Sequence, residues 1–384
     1  MLQLVFGRSG YGKTEYIRNR IADKIDRGET QVLLITPEQY SFISEYSLLE
    51  QLGEARAHAV RCLSFSRLCD ECDRLYGADG RKPLTKGGKA ILMKTAIDQV
   101  RPDLELFEKK GSSAAFVQSM TGIYDEMKSC NLSGAAVYAA ADDLDTDILR
   151  CKMRDFSRIM TAYEALLGDR FADPANRLTR LYDQIKDQNY FAGQTVFLDG
   201  FNGFVAQEYK ILERIIAEAK AVYIALDSDS FGTGDGYDLF AYVNETAGIL
   251  QRIADKAGVP TNTLQLGENC RTDYADLRRV EQYIFADQAP ETEIPAEHIR
   301  LYAASTVTDA CNDLALQIKG LLRCGYRAGE IAVTMRDREK YAPVLASAFE
   351  KYGVPYYADE RQPVTAQPIL VFPMYLMRSV IYGW

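Results

Sequence analysis

Near the start of the chain, Gly7-Arg8-Ser9-Gly10-Tyr11-Gly12-Lys13-Thr14 fits the pattern G-x-x-x-x-G-K-[ST]. No other feature constrains the fold as strongly, because such a loop works only between a buried strand and the first turn of a helix. Both neighbours are present. Leu2 to Phe6 is a short apolar run, and Thr14 to Arg27 carries Ile17, Ile21 and Ile25 at four-residue intervals before Gly28, a helical period with a glycine stop. The glycines let the backbone aim several N–H groups at one phosphate, and the helix adds the positive end of its dipole. In that geometry Gly7, Arg8, Ser9, Gly10, Tyr11 and Gly12 wrap the phosphates. Lys13 reaches the β- and γ-phosphates, and the Thr14 hydroxyl ligates Mg²⁺. The expected ligand is ATP with Mg²⁺.

The pattern continues as alternating strands and helices: strand Gln31 to Thr36, helix Ser44 to Leu52, strand Ala59 to Phe65, helix Ser66 to Tyr76. Such alternation implies right-handed βαβ units and a parallel sheet. The texture changes near Pro83. Ala90 to Val100, Ala114 to Cys130, Ile148 to Leu167 and Asn176 to Asp187 repeat apolar residues at helical spacing, so 85–189 reads as an inserted helical subdomain. Strands return at Thr195 to Leu198 and Ala221 to Ala225, around a helix from Ala206 to Ala219. Asp227 to Asp238 reads as a loop, and Tyr242 to Ala257 as a helix. The P-loop domain is thus expected over 1–84 plus 190–285. Ala286 to Glu297 reads as a linker. A second α/β block follows over 298–384, with strands Ile299 to Ala303 and Ile331 to Thr334 and helices Thr308 to Cys324 and Lys340 to Tyr352. The apolar stretch from Ile369 to Trp384 has no stop signal after it, as expected of a fragment of a longer protein.

A P-loop needs a second acid to hold Mg²⁺. The apolar strand Thr195-Val196-Phe197-Leu198 ends in Asp199, which suits that role; the plain alternative is a turn or cap residue after a strand. Gly200 stands where many nucleic-acid-dependent ATPases place a water-activating Glu, so slow or absent hydrolysis is expected, and no catalytic base is assigned. A net charge of −9 requires any DNA contact to come from a local basic surface rather than from the field of the whole protein. With only two histidines, a His-based metal or nucleophile site is not expected. The start of the chain has no export signal and no apolar run is long enough to cross a bilayer, so a cytoplasmic protein with reduced thiols and no membrane partner is expected.

More specific segments occur in order along the chain. They are Pro37-Glu38-Gln39-Tyr40 with Glu45-Tyr46, then Ser64-Phe65-Ser66-Arg67-Leu68, then Leu198-Asp199-Gly200-Phe201 followed by Gln207-Glu208-Tyr209. Together with the long helical insertion they resemble the N-terminal part of AddB, the B component of the AddAB-type ATP-dependent helicase/deoxyribonuclease. The resemblance implies a P-loop, superfamily-1 helicase-like parallel-sheet domain with a helical insertion, followed by the start of a second RecA-like domain. It implies work in DNA double-strand-break repair by homologous recombination. The partners would be an AddA-type motor subunit, double-stranded DNA ends and single-stranded DNA, and AddB itself would recognise ends and the hotspot sequence rather than drive the motor. The nuclease with its iron–sulfur cluster is implied only for the full-length family, not for the cysteines here. Leu266-Gly267-Glu268-Asn269-Cys270-Arg271-Thr272 resembles the superfamily's L-x-x-N-x-R-[ST], whose Arg reaches the γ-phosphate; an ordinary surface Arg is the alternative for Arg271. Two departures stand out: only six residues precede Gly7, where an adenine-reading segment is usual, and the acid is missing at Gly200. An autonomous P-loop ATPase or kinase, and a scaffold with a vestigial P-loop, remain as competing readings.

Cys69 and Cys72 form a C-x-x-C, but Leu68, Cys69, Cys72 and Leu75 share one helical face, which is core packing. Arg81, Lys82, Lys86, Lys89 and Lys94 form a basic cluster. With Arg67, residues Lys82, Lys86 and Lys89 are candidate DNA-backbone contacts, against the plain reading of a solvated helix face.

Overall fold

The computed structural model describes residues 1–109, 113–229, 231, 239–286, 290–358 and 367–383. It divides into two compact units, Met1–Thr292 and Glu293–Trp384.

The first unit opens with β1 (Leu2–Gly7), α1 (Lys13–Asp26), β2 (Val32–Ile35), α2 (Glu38–Leu52), a short α3 (Glu54–Ala57), β3 (Val60–Leu63) and α4 (Phe65–Tyr76). Then come β4 (Lys82–Pro83), α5 (Lys86–Val100), α6 (Ala114–Ser129), α7 (Gly134–Ala141), α8 (Asp147–Leu167), β5 (Phe171–Ala172) and α9 (Arg177–Ile185). It closes with β6 (Thr195–Leu198), α10 (Ala206–Glu218), β7 (Ala221–Asp227), α11 (Ala241–Lys256), β8 (Thr261–Gln265) and α12 (Ala275–Tyr283). Six strands form one parallel sheet in the order β3-β2-β6-β7-β1-β8. β8, rich in Thr, Asn and Gln, has no apolar alternation in its sequence. It is a strand because it pairs with β1.

Period-two alternation sends the two sheet faces into two cores. Leu33, Ile35, Val196, Leu198, Val222 and Ile224 pack with residues of α4, α9, α10 and α11, whereas Val32, Leu34, Phe197 and Tyr223 pack with Ile17 and Ile21 of α1 and Leu48 and Leu52 of α2. Cys69 and Cys72 lie in the first of these cores, where burial pushes their thiols up to about 11 and about 12. Helices α5, α6, α7 and α8 build a separate core around Met93, Ile97, Met120, Tyr124 and Tyr163. α9 buries Leu181 and Ile185 in the sheet's core instead. The β4–β5 pair has no signal in the sequence, because two-residue strands are too short to show any period.

The second unit holds α13 (Val307–Arg323), α14 (Arg338–Tyr352) and α15 (Pro368–Tyr382). Cys311, Ala315 and Ile318 of α13 pack on Leu345, Ala348 and Phe349 of α14, and α15 buries no residue. The strands expected at Ile299 to Ala303 and Ile331 to Thr334 are not formed among the described residues. A strand exists only as a hydrogen-bonded ladder, and neither run finds a partner; Leu301 is fully exposed. Part of the loop expected at Asp227 to Asp238, part of the linker at 286–297 and Trp384 lie outside the described residues.

Candidate functional site

The sheet's connectivity decides where a ligand can sit. From β1 the chain crosses to β2, three places away, while β7 connects through α11 to β8 on the far side of β1. A crevice therefore opens at the carboxyl ends of the strands, where connections leave in opposite directions. Register brings its floor together: Gly7 is level with Asp227, and Leu198 is level with Ile224. Asp199 and Asp227 thus stand at the lip where the P-loop begins. The cleft measures about 580 Å³ and is lined by Ser9, Gly10, Gly12, Lys13 and Thr14 with Asp199, Asp227 and Arg271.

The loop takes a shape that needs glycine. Gly10 and Gly12 have φ of 93° and 77°, and Gly12 is the residue that caps α1. A Cβ on Gly10 would stand 3.1 Å from Cβ of Arg271. The Cys270 N–H donates to Gly10 O at 2.9 Å, and Leu266 N–H to Phe6 O at 2.8 Å. The Asn269 carboxamide oxygen accepts from Arg271 N–H at 2.8 Å and shapes the turn that carries Arg271. The segment after β8 is thereby tied to the P-loop, although almost the whole first unit separates them in sequence.

Lys13 folds back over the loop. Its ammonium donates to Gly7 O at 2.7 Å and Arg8 O at 2.9 Å and pairs with Asp227. Asp199 is 9% exposed. Burial pushes its carboxyl up from the ordinary Asp range, against the Thr14 hydroxyl, the Gly200 N–H and the charges of Lys13 and Arg18, and burial wins. Thr14 and Asp199 offer only hard oxygen donors, the type Mg²⁺ takes, with phosphate and water to complete its shell. These residues fit the Mg-nucleotide the motif calls for, and no group of three or more His, Cys, Asp or Glu able to hold a metal by itself occurs among the described residues.

Arg8 and Tyr11 send their side chains elsewhere. Arg8 bonds to Asp229 at 2.8 Å and to the Glu281 and Gln282 carbonyls at 3.1 and 3.2 Å, and lies over the Phe240 ring. The Tyr11 hydroxyl donates to Glu281 at 3.3 Å. Neither residue lines the cleft. Asp227 is the cleft residue that sequence reasoning misses: the strand expected there ends at Ala225, and Asp227 reads as the first residue of a loop. In the structure it is the last residue of β7. A signal exists, an acid at the end of a second apolar strand.

The other motif residues serve the frame. Ser64 accepts from Arg67 N–H at 3.2 Å and starts α4. Gln207 donates to Ala175 O at 3.0 Å and Thr179 Oγ at 2.9 Å, and Glu208 accepts Val205 N–H at 2.9 Å. The basic candidates do not behave alike. Arg67 pairs with Glu45 at 3.1 Å. Lys82 and Lys86 are exposed. Lys89 is 7% exposed, pairs with Asp173 at 2.8 Å and with Asp125, and sits over Tyr124. Its charge pins the helical core and does not face solvent.

Fold and cleft together define an α/β protein with a glycine-rich loop at the carboxyl end of a six-stranded parallel sheet. Residues 4–281 match the family described as AddB, N-terminal. The chain belongs to that family. It is 28% identical over 397 residues to the B component of the ATP-dependent helicase/deoxyribonuclease of Clostridioides difficile (strain 630), covering 100% of this chain and 34% of the relative. The proteins of the same description from Clostridium botulinum (strain Hall) and Thermoanaerobacter sp. (strain X514) are 26% and 25% identical, again over 100% of this chain and 34% of theirs. The chain thus spans about a third of the length of the curated relatives it matches.

Proposed function

We propose that this chain is the nucleotide-binding, helicase-like region of the B component of an ATP-dependent helicase/deoxyribonuclease, acting with an AddA-type partner on DNA ends in double-strand-break repair. The observation that carries the nucleotide reading is the convergence of Lys13, Thr14, Asp199 and Arg271, from three distant stretches of sequence, on one cleft at the strand ends. Lys13 and the loop N–H groups bind the phosphates, Thr14 and Asp199 would hold Mg²⁺, and Arg271 lines the same cleft. The bound metal supplies charge neutralisation to the phosphates. The chain binds ATP and turns it over slowly: Gly200 has no side chain to take a proton from water, and the acid beside Lys13, Asp227, is ion-paired to it. DNA contact falls to the exposed Lys82 and Lys86, with recognition of ends and of the hotspot sequence as the role in the complex.

The test is Mg-ATP calorimetry on the chain and on Lys13→Ala, then an ATPase assay with and without blunt DNA ends. Binding lost in Lys13→Ala, without DNA-stimulated turnover, is the expected result. DNA-stimulated turnover would make this chain a motor, and absence of binding would leave a scaffold with a silent loop.

A further inference from the structure

We propose that Arg18 is the group that distinguishes a nucleoside triphosphate from a diphosphate in this cleft, by binding the terminal phosphate; this deepens the nucleotide reading above and rests on it. Arg18 follows Thr14 by four residues on α1, so the two side chains share a face of the helix. Helical side chains lean toward the N-terminus and cover the preceding turn, which carries the Arg18 guanidinium back over Thr14. Arg18 lines the same cleft as Lys13, Thr14 and Asp199.

Arg18 is half-buried and makes no ion pair or hydrogen bond with any described residue. Its neighbours Arg20 and Lys24 on the same helix are both paired, Arg20 with Tyr16 and Asp23, Lys24 with Glu29. A half-buried guanidinium with its donors unused is suited to a planar oxyanion such as a phosphate. The diphosphate is served by the loop and Lys13. A terminal phosphate held with Mg²⁺ would lie near Asp199, in the cleft that Arg18 also lines. Gly200 and Arg18 both line this cleft, a lining suited to holding a triphosphate rather than to activating water.

The experiment is calorimetry of the full chain with Mg²⁺ and either a non-hydrolysable ATP analogue or ADP, for wild type, Arg18→Ala, Arg18→Lys and Lys13→Ala. A charge-assisted bond lost only from the triphosphate weakens the analogue by about tenfold or more. ADP should change by less than about twofold. Arg18→Lys should recover part of the loss, since it keeps the charge without the fork, and it also serves should Arg18→Ala not fold. Parallel weakening of both ligands, or unchanged analogue affinity, would overturn the assignment while leaving the nucleotide site intact. A wild-type chain that binds neither ligand would overturn the nucleotide reading itself, and Lys13→Ala, expected to lose both, marks that difference.

Discussion

Replacing Asp227 by Asn should tighten nucleotide binding. The Lys13 ammonium has three partners: Gly7 O, Arg8 O and the Asp227 carboxylate. A phosphate needs the same ammonium, so Asp227 competes with it. The size of the effect follows from exposure. The Lys13 side chain is 10% exposed but that of Asp227 is 42% exposed. A pair half open to water contributes about 0.2–1 kcal/mol, not the several kcal/mol of a closed one. Asp227→Asn keeps the shape and removes the charge, so the dissociation constant for Mg-ATP should fall by about fivefold or less. Calorimetry measures this directly. A second readout is the thiol of Cys270, which is exposed and whose sulfur stands 3.6 Å from where a Cβ on Gly12 would be. Bound nucleotide should slow its alkylation, at lower ATP concentration in Asp227→Asn than in wild type. If the substitution instead weakens binding several-fold, Asp227 serves the bound state, through the metal's water shell, and the competition argument is wrong.

Gly200→Glu should not create an ATPase: φ is 82° and a Cβ would stand 3.4 Å from Pro37 Cδ, so DNA-stimulated turnover stays absent and stability falls by about 1–3 kcal/mol. Asp199→Asn should separate stability from metal binding. Burial raises this carboxyl, so its contribution to stability is present when protonated and lost as pH rises through the raised value. The variant without nucleotide should therefore melt above wild type at neutral and higher pH, with the gap closing as pH falls through the raised value, while Mg²⁺-dependent nucleotide binding disappears. Lys89→Met leaves the fully buried Asp173 with Tyr163 and Ala175 N–H but no cation; it should cost about 3 kcal/mol or more by denaturant titration, with DNA-end affinity of the folded protein unchanged. Glu29 is pushed up by burial but drawn down further by Lys220, Thr195 and Lys24, to about 2. The stability it gives at neutral pH is lost as pH falls from about 4.5 through about 2, and Glu29→Gln should flatten that part of the acid-unfolding profile.

Much of the site is local in sequence and is legible there. The G-x-x-x-x-G-K-T spacing specifies the loop, because chain geometry over eight residues sets where the N–H groups point, and the tetrapeptide Thr195-Val196-Phe197-Leu198 announces a buried strand ahead of Asp199. The helical block can be read as helical because α5, α6 and α8 repeat their apolar residues every three or four positions along enough turns for the period to show. β8 is illegible: Thr261-Asn262-Thr263-Leu264-Gln265 has no burial pattern of its own, and pairing with β1 alone makes it a strand. The runs at Ile299 to Ala303 and Ile331 to Thr334 fail in the opposite direction, with strand composition and no ladder.

Sequence by itself determined which residues could hold a phosphate and that a parallel sheet would carry them, since both follow from short-range spacing and from apolar period. Tertiary structure decided which charges meet. That Asp227 rather than solvent holds Lys13, that Arg8 and Tyr11 turn toward α12, that Arg18 shares a cleft with Asp199 and has no ion pair among the described residues, and that Lys89 is buried all depend on strand order and register. Those are set by side-chain packing between segments far apart in the chain, and no local window contains them.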